Sequence, residues 1–128
     1  MLTAQDLEQL KSFAVARHDV VALYLFGSEA TGRDRQGSDV DLAITASGRL
    51  GGFERVEVET KLSNLLGRDV ELVVFNDATT LLQHQILKYG ILIYESNPRE
   101  RVRREVSARC DYFDSQSMYK EVRRLHRD

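Results

Sequence analysis

LYLFGSEATGRDRQGSDVDLAIT, residues Leu23 to Thr45, is the stretch from which the fold is read. It continues an apolar run that starts at Val20, rich in β-branched and aromatic residues, and that run stops at Gly27. The pattern predicts a buried strand too short for a helix. From Glu29 to Ser38 the chain carries Gly32, Gly37, Ser38 and several charges, which is loop chemistry. Asp39 to Ala46 (DVDLAITA) opens by alternating polar and apolar with a period of two, and reads as a second strand. Two strands joined by a polar loop therefore form the centre of the expected fold.

Upstream, Thr3 and Asp6 have capping-box spacing, followed by Leu7, Leu10, Phe13 and Ala14 at helical intervals. Downstream of the Gly48–Gly52 turn, Val58, Leu62, Leu65 and Leu66 predict a helix over about 53–66 that Gly67 stops. DVELVVFN (69–76) reads as a third strand. A helix over about 79–89 follows, its face drawn from Leu81, Leu82, Gln85, Ile86 and Tyr89, with Gly90 as its stop. Ile91 to Glu95 reads as a fourth strand, and Asn97, Pro98 and Glu100 mark the start of a last helix. Val102, Val106, Cys110 and Phe113 are its expected apolar stripe, and it reaches about Leu125. The order α-β-β-α-β-α-β-α predicts an α/β (α+β) fold, a small mixed sheet of about four strands covered by helices. A single domain is expected over residues 1–128, with a basic C-terminal helix from about 98.

The chain of 128 residues is 42% hydrophobic and 30% charged, with one Pro, eight Gly and one Cys, which excludes collagen, low-complexity disorder and a disulfide scaffold. The longest apolar run, Val20 to Phe26, is far below the roughly 18 residues of a membrane helix, so no membrane association is expected. No basic segment followed by an apolar one opens the sequence, and a soluble cytoplasmic protein is the expectation. Residues 1–98 hold nine Lys/Arg against fourteen Asp/Glu, whereas residues 99–128 hold nine against six. The net charge of −2 offers nucleic acid no general attraction. The basic C-terminal part reads either as a salt-bridged solvated face or as a contact for an acidic partner.

Asp39 and Asp41 are two apart in a strand and project from the same face. Neighbouring carboxylates repel unless a cation lies between them, and hard oxygen ligands suit Mg²⁺ or Mn²⁺. Gly27 has no side chain to keep a phosphate from its backbone, and Ser28 adds an N–H and a hydroxyl at the same point. Gly-Ser alone is a common turn and Asp-x-Asp alone a common strand entrance, but their joint spacing makes a seat for a metal–triphosphate. His18, His84 and His126 lack partners at zinc spacing, and His84 is expected at the surface or an edge. Cys110 reads as a small buried hydrophobe. Tyr112 and Tyr119, seven apart, form either a partner-facing stripe or packing on the sheet.

Gly27-Ser28, ten residues and Asp39-x-Asp41 resemble the signature of the nucleotidyltransferase superfamily typified by DNA polymerase β. The size of the chain is most similar to the minimal nucleotidyltransferase (MNT) family. The resemblance implies a third carboxylate on the DVELVVFN strand, where Glu71 occupies the matching position in place of the usual Asp, with Asp69 the fallback. It implies that Asp39, Asp41 and Glu71 are the catalytic and metal-holding residues, for two Mg²⁺ ions or Mn²⁺. Gly27, Ser28, Arg33 and Ser38 would bind the nucleotide, ATP. Thr31 stands where relatives often carry Arg, with Arg33 and Arg35 as replacements. The implied activity is transfer of AMP to a hydroxyl, a tyrosine, of a HEPN-domain toxin. The chain would then act as an antitoxin within a hetero-oligomer, without direct contact to nucleic acid. Two other readings stay open, a degraded antitoxin that acts by contact alone and a small-molecule nucleotidyltransferase.

Overall fold

The first predicted strand forms as β1 (Val20–Phe26), buried along nearly its whole length. The computed structural model describes residues 2–27, 30 and 39–125. Within them α1 (Ala4–Ala16) precedes β1, and β2 (Val40–Ala46), α2 (Gly52–Leu66) and β3 (Val70–Val74) follow. A 3-10 turn (Phe75–Asp77), α3 (Thr80–Tyr89), β4 (Ile91–Glu95) and α4 (Pro98–Leu125) complete the order. The third predicted strand is thus cut short, because Phe75 turns into the core as part of the 3-10 turn. Thr3 and Asp6 close the capping box on α1, and Asn97 accepts from the Glu100 amide at 3.1 Å to start α4.

The four strands form one mixed sheet in the order β3-β2-β1-β4. β2 and β4 flank β1 and run antiparallel to it, and β3 runs parallel to β2. A parallel neighbour requires a crossover, which α2 supplies between β2 and β3. One face of the sheet packs Leu23, Leu42, Ile44 and Leu72 against Leu10 and Ala14 of α1 and Val58 and Leu62 of α2. The opposite face packs Ala22, Tyr24, Ala43 and Phe75 against Ile86 of α3 and Ala108 of α4. Burying a side chain such as Leu10 or Leu62 is worth about 1.5–3 kcal/mol, so the two helical layers are held mainly by these positions. A Cβ at Gly90 would meet the carbonyl oxygens of Ile86 at 2.3 Å and of Leu25 at 3.2 Å, which shows how closely the end of α3 sits on β1.

Helix α4 departs from the expected stripe. Val106 is 51% exposed, Phe113 71%, and Val102 and Cys110 also face solvent. The residues α4 buries are Glu105 and Ala108. Glu105 accepts the Tyr24 hydroxyl at 2.6 Å and an Arg101 N–H at 2.6 Å, and Arg101 also pairs with Glu95 of β4. A buried carboxylate needs such partners, and a sheet-borne hydroxyl plus a guanidinium supply them. The charge network, more than apolar periodicity, therefore orients α4. His84 lies at an edge, stacked on Tyr112 with ring centroids 3.7 Å apart and planes 5° from parallel.

Tyr24→Phe removes the hydroxyl but leaves Glu105 paired with Arg101, and should cost about 1–2 kcal/mol in urea unfolding. An unchanged midpoint would mean that Tyr24 does not anchor the helix.

Candidate active site

Two adjacent strands, β2 and β3, bring the predicted carboxylates together beside the end of β1. Phe26, the last residue of β1, lies opposite Asp41 of β2, and Asp41 lies opposite Glu71 of β3. Neighbouring strands are about 4.8 Å apart, and residues opposite one another project to the same face. Phe26 packs with the cluster beneath α3 and α4, so Asp41 and Glu71 share the face those helices cover. Asp39 immediately precedes β2, and its side chain is exposed, as is that of Glu71, whereas Asp41 is half-buried.

Gly27 turns the chain out of β1 with φ +72°, and a Cβ there would stand 2.2 Å from Asp41 Oδ2. The carboxylate of Asp41 thus occupies the space a side chain would take, which gives the glycine of the motif a second purpose besides admitting phosphate. Burial at this point, together with the charges of Glu71 and Asp39 and a hydrogen bond with Glu71, pushes the Asp41 carboxyl up to about 6. Burial is the largest cause and Glu71 the next. Negative charge is therefore concentrated here, and among the described residues no cation is a cause of the Asp41 shift.

Glu71, and not the fallback Asp69, is the carboxylate that faces Asp41. Asp69 is exposed, and its carbonyl oxygen is taken by the Val40 amide at 2.9 Å. Ser28, Thr31, Arg33, Arg35 and Ser38 lie outside the described residues; of the expected nucleotide-binding positions, Gly27 is the one among the described residues. Among the described residues no three acidic, His or Cys side chains already stand as a closed ligand set. The donor chemistry nonetheless fits a divalent cation. Glu71 and Asp39 raise the proton affinity of Asp41, and a cation between these hard oxygens would relieve that repulsion. The polar network of Tyr24, Arg101 and Glu105, which holds a helix over this face, had no signal in the sequence, since its partners are 81 residues apart.

Residues 8–99 match the family described as Polymerase beta, Nucleotidyltransferase. The chain belongs to this family. Over 89 residues this nucleotidyltransferase is 35% identical to the protein adenylyltransferase MntA of Shewanella oneidensis, a match that covers 67% of this chain and 64% of MntA's own length. In three dimensions it is similar to a chain of a toxin–antitoxin crystal structure with AMP-PNP, with a TM-score of 0.80 at 26% identity over 94% of this chain and 95% of that one. A rebuilt structure of a tri-AMPylated Shewanella oneidensis HEPN toxin in complex with an MNT antitoxin shares the fold at TM-score 0.76 and 23% identity, covering 92% of each chain. Among the described residues no helix is long and apolar enough to cross a membrane.

Two outcomes follow from the geometry. Between about pH 4 and pH 6 the folded chain keeps a proton on Asp41 that the unfolded chain, at its ordinary 3.8, has released, so stability falls as pH rises through that window. Asp41→Asn should therefore be more stable than the parent above pH 6 by about 1 kcal/mol, after discounting for solvent screening, and the gap should close toward about pH 4 in unfolding titrations. Gly27→Ala should cost about 1–3 kcal/mol for the left-handed backbone. It should also drive the Asp41 carboxyl into solvent, lowering its pKa in a carboxyl NMR titration; an Asp41 pKa still near 6 would contradict the contact.

Proposed function

We propose that this chain is a Mg²⁺-dependent protein adenylyltransferase that moves AMP from ATP to a tyrosine hydroxyl of a HEPN-type toxin and so acts as its antitoxin. The observation that carries the reading is the pairing of Asp41 with Glu71 across β2 and β3, beside Gly27 and next to Asp39. Family membership and similarity to MntA and to toxin–antitoxin structures support it. The chain acts as a single cytoplasmic domain in complex with its partner.

Asp39, Asp41 and Glu71 would hold the metal, two Mg²⁺ ions or Mn²⁺ in their place. Bound magnesium supplies charge neutralisation for the triphosphate and a lowered pKa for the acceptor hydroxyl. Gly27 lets a phosphate approach the backbone at the end of β1, with Ser28, Arg33 and Ser38 of the following loop as its further contacts. The acceptor oxygen bonds to the α-phosphorus, the bond to the pyrophosphate oxygen breaks, and the hydroxyl proton passes to Glu71, an exposed carboxylate opposite Asp41. Positioning and charge stabilisation carry the rate, so the carboxylates matter far more to turnover than to folding. The loose arrangement of the three carboxylates favours one alternative, an antitoxin that works by contact alone.

Intact mass spectrometry of the protein encoded beside this chain, after incubation with the chain, Mg²⁺ and ATP, decides between them. The expected result is a gain of one or more AMP units, reduced by about 10³-fold or more in rate in Asp39→Ala/Asp41→Ala. A stable complex without any gain in mass would leave the contact antitoxin.

A further inference from the structure

Strand β3, which carries Glu71, lies at an edge of the sheet, whereas β2, which carries Asp41, is paired on both sides. The Val40 amide takes the Asp69 carbonyl at 2.9 Å, so the odd-numbered residues of β3 face β2. Val70 and Leu72 therefore turn their backbone groups to the outer edge. Among the described residues no strand lies beyond that edge, and side chains of α2 take its place. Ser63 Oγ accepts the Val70 amide at 3.0 Å, and Glu59 Oε2 accepts the Leu72 amide at 2.8 Å. Arg55 Nη1 donates to the Leu72 carbonyl at 3.2 Å and to Glu59 Oε2 at 3.1 Å.

Arg55, Glu59 and Ser63 are each four positions apart and form one stripe of the helix. A step of four advances about 6 Å along α2, and two residues of a strand advance about 6.6 Å. The stripe thus matches the spacing of the outward amides of β3. The Arg55–Glu59 pair offers Leu72 a donor and an acceptor, as the backbone of a neighbouring strand would. The Leu72 amide is the telling one, because it belongs to the same planar peptide unit as the Glu71 carbonyl. Glu59 holds this unit from the outer edge while β2 holds it from the inner one, and a charged acceptor makes the stronger kind of bond. The Glu71 side chain is itself exposed, so its direction from the strand, opposite Asp41, is set by the backbone on either side of it.

We propose that Glu59, together with Ser63 and oriented by Arg55, is a positioning residue for Glu71: it clamps the outer edge of β3 and so fixes where the third carboxylate stands relative to Asp39 and Asp41. This rests on the proposed role of Glu71 in the transfer of AMP. A misplacement of about 1 Å at a reacting centre can cost about 10²-fold in rate, so an edge strand that carries such a group gains from a second hold. A cap that only kept another strand from adding to the open edge would use the same bonds, but it would leave a cation held by the carboxylates unaffected.

The test measures the Mn²⁺ Kd of the full, nucleotide-free chain by electron paramagnetic resonance, and kcat and KM with the protein encoded beside it as acceptor. Glu59→Leu should weaken Mn²⁺ binding about tenfold and lower kcat about tenfold or more, with KM for the acceptor within about twofold of the parent. Glu59→Gln keeps an oxygen for the Leu72 amide and should recover most of both. Ser63→Ala, which stands in if Glu59→Leu does not fold, should move both in the same direction by about threefold. Made in a Glu71→Ala chain, either change should add nothing to the Mn²⁺ Kd, because its effect passes through Glu71. Val58→Ala loosens α2 in the core, leaves the three edge residues in place, and should keep the parent Kd. An unchanged Mn²⁺ Kd, equal weakening with and without Glu71, an equal loss in Val58→Ala, or a parent that binds no Mn²⁺ would overturn the inference. AMP transfer indifferent to Glu59 would overturn it and leave the transferase reading standing. Coupling of Glu59 to Glu71 in the Mn²⁺ Kd without any transfer would sink that reading and leave the positioning role.

Discussion

The register of β2 between two different neighbours is the constraint from which the rest of this molecule follows. Antiparallel pairing sets Phe26 opposite Asp41, and parallel pairing sets Glu71 opposite the same residue. A slip of one position on either side would turn Asp41 or Glu71 to the other face, into the apolar layer beneath α1 and α2. Val40, Leu42 and Ile44 occupy that layer and are almost wholly buried, so the apolar residues of β2 enforce the placement of its polar ones. The negative charge gathered at the strand ends is thus imposed by the core, and Asp41 bears its cost as a raised proton affinity.

Glu71 illustrates how a side chain can keep a position while changing its reach. The strand register places it across from Asp41, and it stands exposed on β3. Asp69, of the same parity, is spent in its backbone on the Val40 amide and stays at the rim. The site is therefore held most firmly at Asp41, packed against Gly27, and most loosely at Glu71 and Asp39.

Helix α4 obeys a different rule from the other helices. Its expected apolar stripe, Val102, Val106, Cys110 and Phe113, faces water, and it is oriented by Glu105 in contact with Tyr24 and Arg101. A hydrogen-bonded buried carboxylate specifies one azimuth and one axial position, which a smooth apolar stripe does not. That anchoring leaves apolar groups exposed along the helix.

Local chemistry determined much of this protein from the sequence alone. Capping residues, the apolar runs and the glycines placed the helices and strands, and the spacing of Gly27, Asp39 and Asp41 marked the site, because each signal acts within a few residues. Resemblance supplied the role expected of Glu71. The tertiary structure decided what depends on contacts between distant segments. It set Glu71, and not Asp69, opposite Asp41, seated Asp41 against Gly27, and paired Tyr24 with Glu105 across 81 positions. It also decided which face of α4 is covered, since a helix carrying charge and apolar residues on several sides has no single inward face until a partner for its buried charge is in place.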